Sequence, residues 1–407
     1  YILIILKMPV EYMSKNIDLV ILAGGRGLRI KDQLGKYPKP MIKFNNKHFL
    51  QYVLNYTSKY AFKRIIILCG YRHRVIFQKF HKKRINLKNI ICIREKKLLG
   101  TAGALSNLKK LKVKDFVLIN GDTIFDIDIN ELISNLDKNK IAAIALTKNK
   151  NQKSKKLNQL GLKNKLIYIK KSSNLMNGGT YYFKKNIFKY ITNKNLSLEN
   201  ELLPKLIKQK KINGKIFKNF FIDIGSKQYL KIANKKLKKH FEKPAVFLDR
   251  DGVINYDYGY VHKIKNFKFR PGVLLGLKYL LKKNYYLFII TNQAGIGKKK
   301  FKEIQFIRLH SEINEKLKKL DIFFDDIQYS PFHPEAKIKK YKKNSSMRKP
   351  GNKMINNILL NWDLKYKKSF MIGDKVTDKT AAERSNLKFF YAGKNFYKQI
   401  KSIVSNY

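Results

Sequence analysis

The stretch 246–254, VFLDRDGVI, closes an apolar run with two carboxylates one residue apart. Two unshielded carboxylates at a strand end repel each other, and a divalent cation is the usual partner that offsets the cost. Further on, a second apolar run ends in Thr291-Asn292-Gln293, then comes Arg348-Lys349-Pro350-Gly351, and a third run ends in Gly373-Asp374-Lys375 with Asp378 after it. If those runs are neighbouring parallel strands, their ends bring together carboxylates for Mg²⁺, a hydroxyl and a lysine. Phosphoryl transfer through an aspartyl-phosphate needs that set. Asp249 is then the nucleophile and Asp251 the general acid and base, while Thr291 and Lys349 hold the phosphoryl group and Asp374 anchors the metal. Taken singly, a DxD can be a turn, a TNQ a strand cap and a GDxxxD a helix N-cap. All three in this order at strand ends argue for a site.

A second constellation lies in the first half. Leu22-Ala23-Gly24-Gly25 leads into Arg26-Gly27-Leu28-Arg29, and Tyr37-Pro38-Lys39-Pro40 follows. Glycines after a first strand let backbone amides approach phosphates, and Arg29 and Lys39 could neutralise a triphosphate. Alone, such a loop is equally an ordinary turn between strand and helix. EKKLLGTAGAL (95–105), NGDTIFDID (120–128), NGGTYYF (177–183) and FIDIG (221–225) make coincidence a poor account.

The elements that must position these residues alternate. Strand candidates LVILAG, RIIILCG, FVLING, IAAIAL and GGTYYF are separated by amphipathic helix candidates such as FLQYVLNYTSKY, AGALSNLKKL and NELLPKLIKQK. From residue 245 a second alternation runs through AVFLDR, GVLLGLKYLLKK, YYLFIITN, FKEIQFIRLHSEINEKLKKL, SFMIGD and KFFYAG. The expected fold class is α/β in two domains, each a mainly parallel Rossmann-like sheet flanked by helices. The expected boundaries are an N-terminal extension at 1–17, a first domain at 18–235, a linker at 236–244 and a second domain at 245–407. KIANKKLKKHFEKP (231–244) reads as a last helix followed by that linker.

The chain has 407 residues, 44% hydrophobic and 13% aromatic, enough for two or three cores. No run approaches a membrane span, and the opening YILIIL is shorter than a signal-peptide core. Tyr1 as first residue suggests a fragment or an over-extended start, with Met8 or Met13 as candidate starts. Cys69 and Cys92 are the only cysteines, which fits a reducing cytoplasm. The formal charge of +60 invites a polyanion partner. Against nucleic acid, the lysines are spread over nearly every segment, and no zinc-finger spacing, helix-turn-helix pattern or RNP-like motif occurs.

Residues 245–385 resemble the haloacid-dehalogenase phosphatase superfamily, and more narrowly the D,D-heptose 1,7-bisphosphate phosphatases. The resemblance runs through FLDRDGVIN, DYGYVHKIKNFKFRPGV, TNQAGIGKKKF, SPFHP, RKPG and MIGDKVTDKTAA. It implies that Asp257, Tyr258, Gly259 and Tyr260 line the substrate site with Asn292, Gln293 and Ala294. It further implies that Arg348 recognises the rest of the sugar phosphate. The metal loop would comprise Asp249, Asp251, Asp374 and Lys375. Many members hold a structural zinc through Cys-x-His and Cys-x-Cys. Here those positions are Ser330, Phe332, Ser345 and Met347, so zinc is expected to be absent.

Residues 18–235 resemble sugar-1-phosphate nucleotidyltransferases, especially heptose- and mannose-1-phosphate guanylyltransferases. The resemblance implies Mg²⁺ on Asp122 and Asp223, nucleotide phosphates on Arg29 and Lys39 beside Ala23, Gly24 and Gly25, base and sugar at Gly100 and Thr101, and the sugar phosphate at Lys171. It favours GTP as the nucleoside triphosphate. Two positions depart: Leu28 replaces a threonine, and Lys170 replaces a glutamate. A phosphatase that removes the 7-phosphate leaves heptose 1-phosphate, which a transferase could activate, so the fusion has a chemical reason. The competing readings are a mannose-1-phosphate guanylyltransferase beside a phosphatase of other sugar phosphates, and a basic nucleic-acid-binding protein with inactive enzyme folds.

Overall fold

A computed structural model describes residues 17–25, 27, 35, 37–97, 99–148, 160–170, 173–192, 194–225 and 227–406. They form two compact units. The first ends at Asn234 and the second runs from Lys235 onward, with 54–61 and 85–87 grouped with the second.

In the first unit the strands are β1 (Asp18–Leu22), β2 (Ile65–Cys69), β3 (Lys88–Arg94), β4 (Phe116–Asn120), β5 (Thr123–Phe125), β6 (Ala142–Lys148), β7 (Leu175–Phe183), β8 (Ile212–Ile216) and β9 (Phe221–Asp223). Among the described residues the central order is β8-β6-β7-β4-β1-β2-β3, with short strands at both edges. β4, β1, β2 and β3 run parallel. Their apolar runs, such as IIILC in β2, are buried along their length, as strands covered on both faces require. The α/β class holds, with one inversion: β7, the expected GGTYYF strand, runs antiparallel to both β4 and β6. Hydrophobic content marks a buried strand but not its direction. β5 and β9 form a separate antiparallel pair, with Asp223 opposite Thr123.

The second unit carries β10 (Ala245–Leu248), β11 (Tyr286–Asn292), β12 (Asp326–Ser330), β13 (Phe370–Gly373) and β14 (Lys388–Tyr391). All neighbours are parallel, in the order β12-β11-β10-β13-β14. The chain builds outward from β10 on one side and then returns to its other side. The crevice at the carboxyl ends of β11, β10 and β13 is therefore a topological switch point, where open α/β sheets bind ligands. Helices Val273–Lys282, Glu303–Lys318, Lys353–Asn361 and Val376–Glu383 form the crossovers.

The helix Lys227–Phe241 continues well past residue 235, so most of the segment 236–244 is helical rather than an irregular linker. Its alternating leucine, isoleucine and lysine positions give it an apolar stripe, which outweighs the lysine content. No helix among the described residues is long and apolar enough to cross a membrane.

Candidate active sites

Asp249 follows β10 directly, and its amide donates to Ile372 O of β13 at 3.0 Å. The side chain is buried, and so is Lys349, whose Nζ reaches Asp249 Oδ1 at 2.8 Å and Asp378 Oδ1 at 2.6 Å. A third bond, from the same Nζ to Ile290 O at 2.9 Å, uses all the donors an ammonium has. Asp378 Oδ2 accepts the amides of Asp374 and Lys375 at 3.1 and 3.0 Å, which fixes the turn that opens the next helix. Burial, opposed by Lys349 and reinforced by Asp378, pushes the Asp249 carboxyl up to about 7. Burial pulls the Lys349 ammonium down, but Asp249 and Asp378 outweigh it and leave it above its ordinary value.

Asp249, Asp374 and Asp378 each offer an oxygen within 4.8 Å of the others, close enough to share a cation. Asp374 Oδ1 is buried with no hydrogen-bond partner, an atom that a cation would satisfy. Burial raises the Asp374 carboxyl. At Gly252 (φ +88°) a Cβ would stand 2.2 Å from Asp374 Oδ2, so only glycine allows this approach. These donors fit a hard divalent cation.

The carboxylate of Asp251 lies outside that cluster. Both of its oxygens are held by the buried Arg250, at 2.7–3.1 Å, and further donors are Asn255 Nδ2 at 2.9 Å and Gln293 Nε2 at 3.0 Å. Gln293 Nε2 also donates to Thr291 Oγ1 at 2.9 Å, tying the hydroxyl at the end of β11 to the acid. Lys375 likewise brings no side chain to the cluster. Its ammonium pairs with Asp257 at 3.1 Å, because an ammonium cannot ligate a cation and finds the nearest free carboxylate. The Gly259 amide and Lys375 hold the Asp257 carboxyl below its usual range despite partial burial. Tyr258 and Tyr260 are exposed on the same loop. Asn292 exchanges two bonds with the Lys349 backbone, at 3.0 and 3.1 Å, and Ala294 opens a one-turn helix beside it. Arg348 precedes Lys349, and its guanidinium donates to Phe332 O at 3.5 Å.

In the first unit a cavity of about 960 Å³ is lined by Ala23, Gly24, Gly25, Lys39, Gly100, Thr101, Asp122 and Asp223, all expected from the sequence. Arg29, Leu28 and Lys171 lie outside the described residues, and Lys170 is exposed. The β5–β9 pairing explains how Asp122 and Asp223, far apart in sequence, meet: Ile224 N donates to Asp122 O at 3.0 Å. Lys39 Nζ lies between them, 2.5 Å from Asp122 Oδ2 and 3.8 Å from Asp223 Oδ1. The lysine expected at the nucleotide phosphates is here paired with the two carboxylates, since two nearby acids attract the closest cation. Thr101 Oγ1 donates to Glu199 Oε2 at 2.9 Å and accepts from Leu198 N at 2.8 Å, so its hydroxyl braces the wall.

Sequence reasoning left three residues without a role. Asp378 stood in a quoted motif at a four-residue spacing from Asp374, which a helix N-terminus brings round to the same side. Arg250 sat unexamined between the two acids. Glu95 opens the stretch EKKLLGTAGAL and lines the cavity, where burial pushes its carboxyl up to about 7. A Cβ on Gly24 would stand 2.3 Å from Glu95 Oε1, so this acid needs the glycine loop beside it.

A carboxylate pair in a glycine-lined cavity and an aspartate–lysine cluster at parallel strand ends define a nucleotidyltransferase unit followed by a phosphatase unit. The chain belongs to the nucleotidyl transferase family and, through its second unit, to the family of D-glycero-beta-D-manno-heptose-1,7-bisphosphate 7-phosphatases. The first family, described as Nucleotidyl transferase, matches residues 19–240, and the family described as Polynucleotide kinase 3 phosphatase matches 248–401. The 7-phosphatase of Photorhabdus laumondii is 43% identical over 139 residues, 34% of this chain and 74% of the relative. That of Escherichia coli K12 is 39% identical over 144 residues, 35% of this chain and 75% of the relative. The crystal structure of HddC from Yersinia pseudotuberculosis is 31% identical and covers 54% of this chain and 99% of its own, at a TM-score of 0.47.

Proposed function

We propose that the chain carries out two consecutive steps on one sugar. The second unit hydrolyses the 7-phosphate of D-glycero-D-manno-heptose 1,7-bisphosphate, and the first transfers GMP from GTP to the heptose 1-phosphate that results. The division falls near residue 235, and the setting is the cytoplasm. The observation that carries the phosphatase half is the buried Asp249–Lys349–Asp378 arrangement at the switch point, in a unit whose named relatives are heptose bisphosphate phosphatases.

An oxygen of ionised Asp249 attacks phosphorus and the bond to the sugar oxygen breaks; Asp251, whose carboxyl must first leave the Arg250 pairing, supplies the proton that the leaving oxygen takes up. Water then attacks the acyl phosphate, Asp251 takes its proton, and phosphate leaves Asp249. Lys349 and Thr291 are placed to hold the equatorial oxygens. Mg²⁺, on which these families generally depend, would be held by Asp249, Asp374 and Asp378 and would supply neutralisation of the phosphate charge.

In the first unit, a sugar 1-phosphate oxygen attacks the α-phosphorus of the triphosphate and pyrophosphate leaves. Asp122 and Asp223 fit the metal there. Support for guanine comes from Glu95, which lines the cavity; an ionised carboxylate there would accept from both N1–H and the exocyclic amine of guanine, a pairing that adenine does not offer. Phosphorus NMR of the protein with heptose 1,7-bisphosphate, Mg²⁺ and a mixture of the four nucleoside triphosphates tests both steps. The expected spectrum loses the 7-phosphate and then gains a GDP-sugar signal. A spectrum unchanged for this sugar, with turnover of mannose 1-phosphate or another sugar phosphate, overturns the heptose reading.

A further inference from the structure

The loop 331–347 joins β12 to the Arg348-Lys349 pair. The four positions in this loop and at the end of β12 where related phosphatases place zinc ligands hold no ligand set. Phe332 has no donor atom. Ser345 Oγ accepts from Met347 N at 3.2 Å, and Met347 Sδ is engaged by Asn357 Nδ2 at 3.6 Å. Ser330 is fully buried within β12, and the neighbouring His333 Nδ1 accepts from Glu335 N at 3.1 Å. The sole group of three or more metal-type side chains among the described residues is Asp249, Asp374 and Asp378. Zinc therefore does not fit this loop.

Something else must hold it, because a long loop beside an active site has an ordering cost. Phe332 and Tyr341 meet edge to face, with ring centroids 5.7 Å apart and planes at 80°. Tyr341 and Ala336 belong to the buried core of the unit, and Phe332 and Ile338 pack against it. Lys343 Nζ stands 5.0 Å from the Phe332 ring and Lys340 Nζ 4.7 Å from the Tyr341 ring, so each ring also carries a cation on its face. The backbone closes the same contact: His333 N donates to Tyr341 O at 3.1 Å, and Lys337 N and Ile338 N both donate to Gly297 O, at 2.9 and 3.0 Å. The carbonyl of Phe332 accepts the Arg348 guanidinium, whose pKa burial lowers.

We propose that Phe332 and Tyr341 form a metal-free aromatic clasp that replaces a zinc staple and sets the position of Arg348 at the end of the substrate remote from Asp249. The inference rests on the phosphatase reading for the substrate and on packing alone for the clasp. Edge-to-face pairs add to apolar burial and require neither thiolates nor a metal supply. Phe332 and Tyr341 are positioning residues, since they act through Arg348.

The test has two arms. In the first, the full chain is expressed with added zinc, its metal content is measured, and its thermal unfolding is followed with and without a zinc chelator. The clasp predicts far less than one zinc per chain and an unchanged transition. Near-stoichiometric zinc with a lowered transition on chelation overturns it. In the second, Phe332→Ala is compared with Phe332→Tyr, which keeps the ring. Hydrogen exchange over 331–347 should quicken in the alanine variant alone. KM for heptose 1,7-bisphosphate should rise about tenfold with kcat nearly kept, while hydrolysis of a small aryl phosphate stays near the parent rate. Unchanged exchange in Phe332→Ala overturns the clasp whatever the substrate. Quickened exchange with an unchanged KM overturns the link to Arg348. Should Phe332→Ala fail to fold, Phe332→Leu provides the same comparison, with burial kept and the ring pair lost. Turnover of the aryl phosphate without the heptose bisphosphate would count against the substrate reading and leave the exchange result standing.

Discussion

Both units place a lysine between two aspartates, and the surroundings make them different devices. Lys349 between Asp249 and Asp378 has side-chain exposures of 1%, 9% and 1%. Lys39 between Asp122 and Asp223 has 10%, 32% and 39%. In the second unit the two acids have little solvent to turn to if the lysine leaves, so the ammonium is a fixed part of the fold and its field is in place before substrate arrives. In the first unit the acids keep access to solvent, so their pairing with Lys39 is less firmly held. Buried triads preorganise a site more firmly than open ones.

The largest expected effect is on chemistry. Asp249→Asn should lower phosphate release by at least ~10³-fold and leave nucleotidyl transfer unchanged. Persistent phosphate release from this variant would mean that Asp249 is not the nucleophile.

The contrast between the lysines is next. Lys349→Met leaves two buried carboxylates without their cation and should cost the second unit ~3–5 kcal/mol. The same change at Lys39 should cost the first unit only ~0–1 kcal/mol while slowing nucleotidyl transfer. The single tryptophan, Trp362, is buried against Tyr286 and Phe288, so its fluorescence during denaturation reports the second unit. Circular dichroism follows both units. Equal losses in the two variants would end the distinction drawn from burial.

Most of the second site was legible because its chemistry sits at the ends of apolar runs, and parallel strands bring such ends together without further information. Asp249, Thr291 and Asp374 needed only the strand pattern. Lys349 was legible as a residue type, but its partner Asp378 required the helix turn that follows β13. The fate of Asp251 was illegible, since the grip of Arg250 depends on a side chain folding back along its own backbone. In the first unit, Asp122 and Asp223 meet through a two-stranded pairing whose strands are each three residues long, below what periodicity can register. The inversion of β7 was hidden for a related reason: burial on both faces erases the one-sided alternation that commonly marks antiparallel strands.

Glu95 extends the comparison to pH. Burial raises its carboxyl to about 7, so ionisation is lost as pH falls through that value. If the carboxylate accepts from guanine, KM for GTP should rise below pH 7, approaching tenfold per unit. Glu95→Gln should flatten this profile and erode the preference for GTP over ATP. A KM that stays level across neutrality would remove Glu95 from base recognition.

The effect most remote from chemistry concerns Asp325, a buried carboxyl of the second unit whose Oδ2 accepts Leu287 N at 2.8 Å. Burial raises it from 3.8 to about 7. The folded state therefore holds a proton that the unfolded chain releases, and the associated stability is complete below the unfolded value and lost as pH rises through about 7. Asparagine keeps the acceptor for Leu287 and never ionises. Asp325→Asn should match the parent in acid and exceed it above neutrality by up to about 4 kcal/mol, read from Trp362 fluorescence during denaturation. The result bears on the two lysines. Asp249 stands at about the same value, with Lys349 lowering it against burial and the neighbouring Asp378, so each aspartate balances desolvation against its own partners. A variant no more stable than the parent in alkali would show that water reaches Asp325, and the claim that the second unit is the dry one would fall with it.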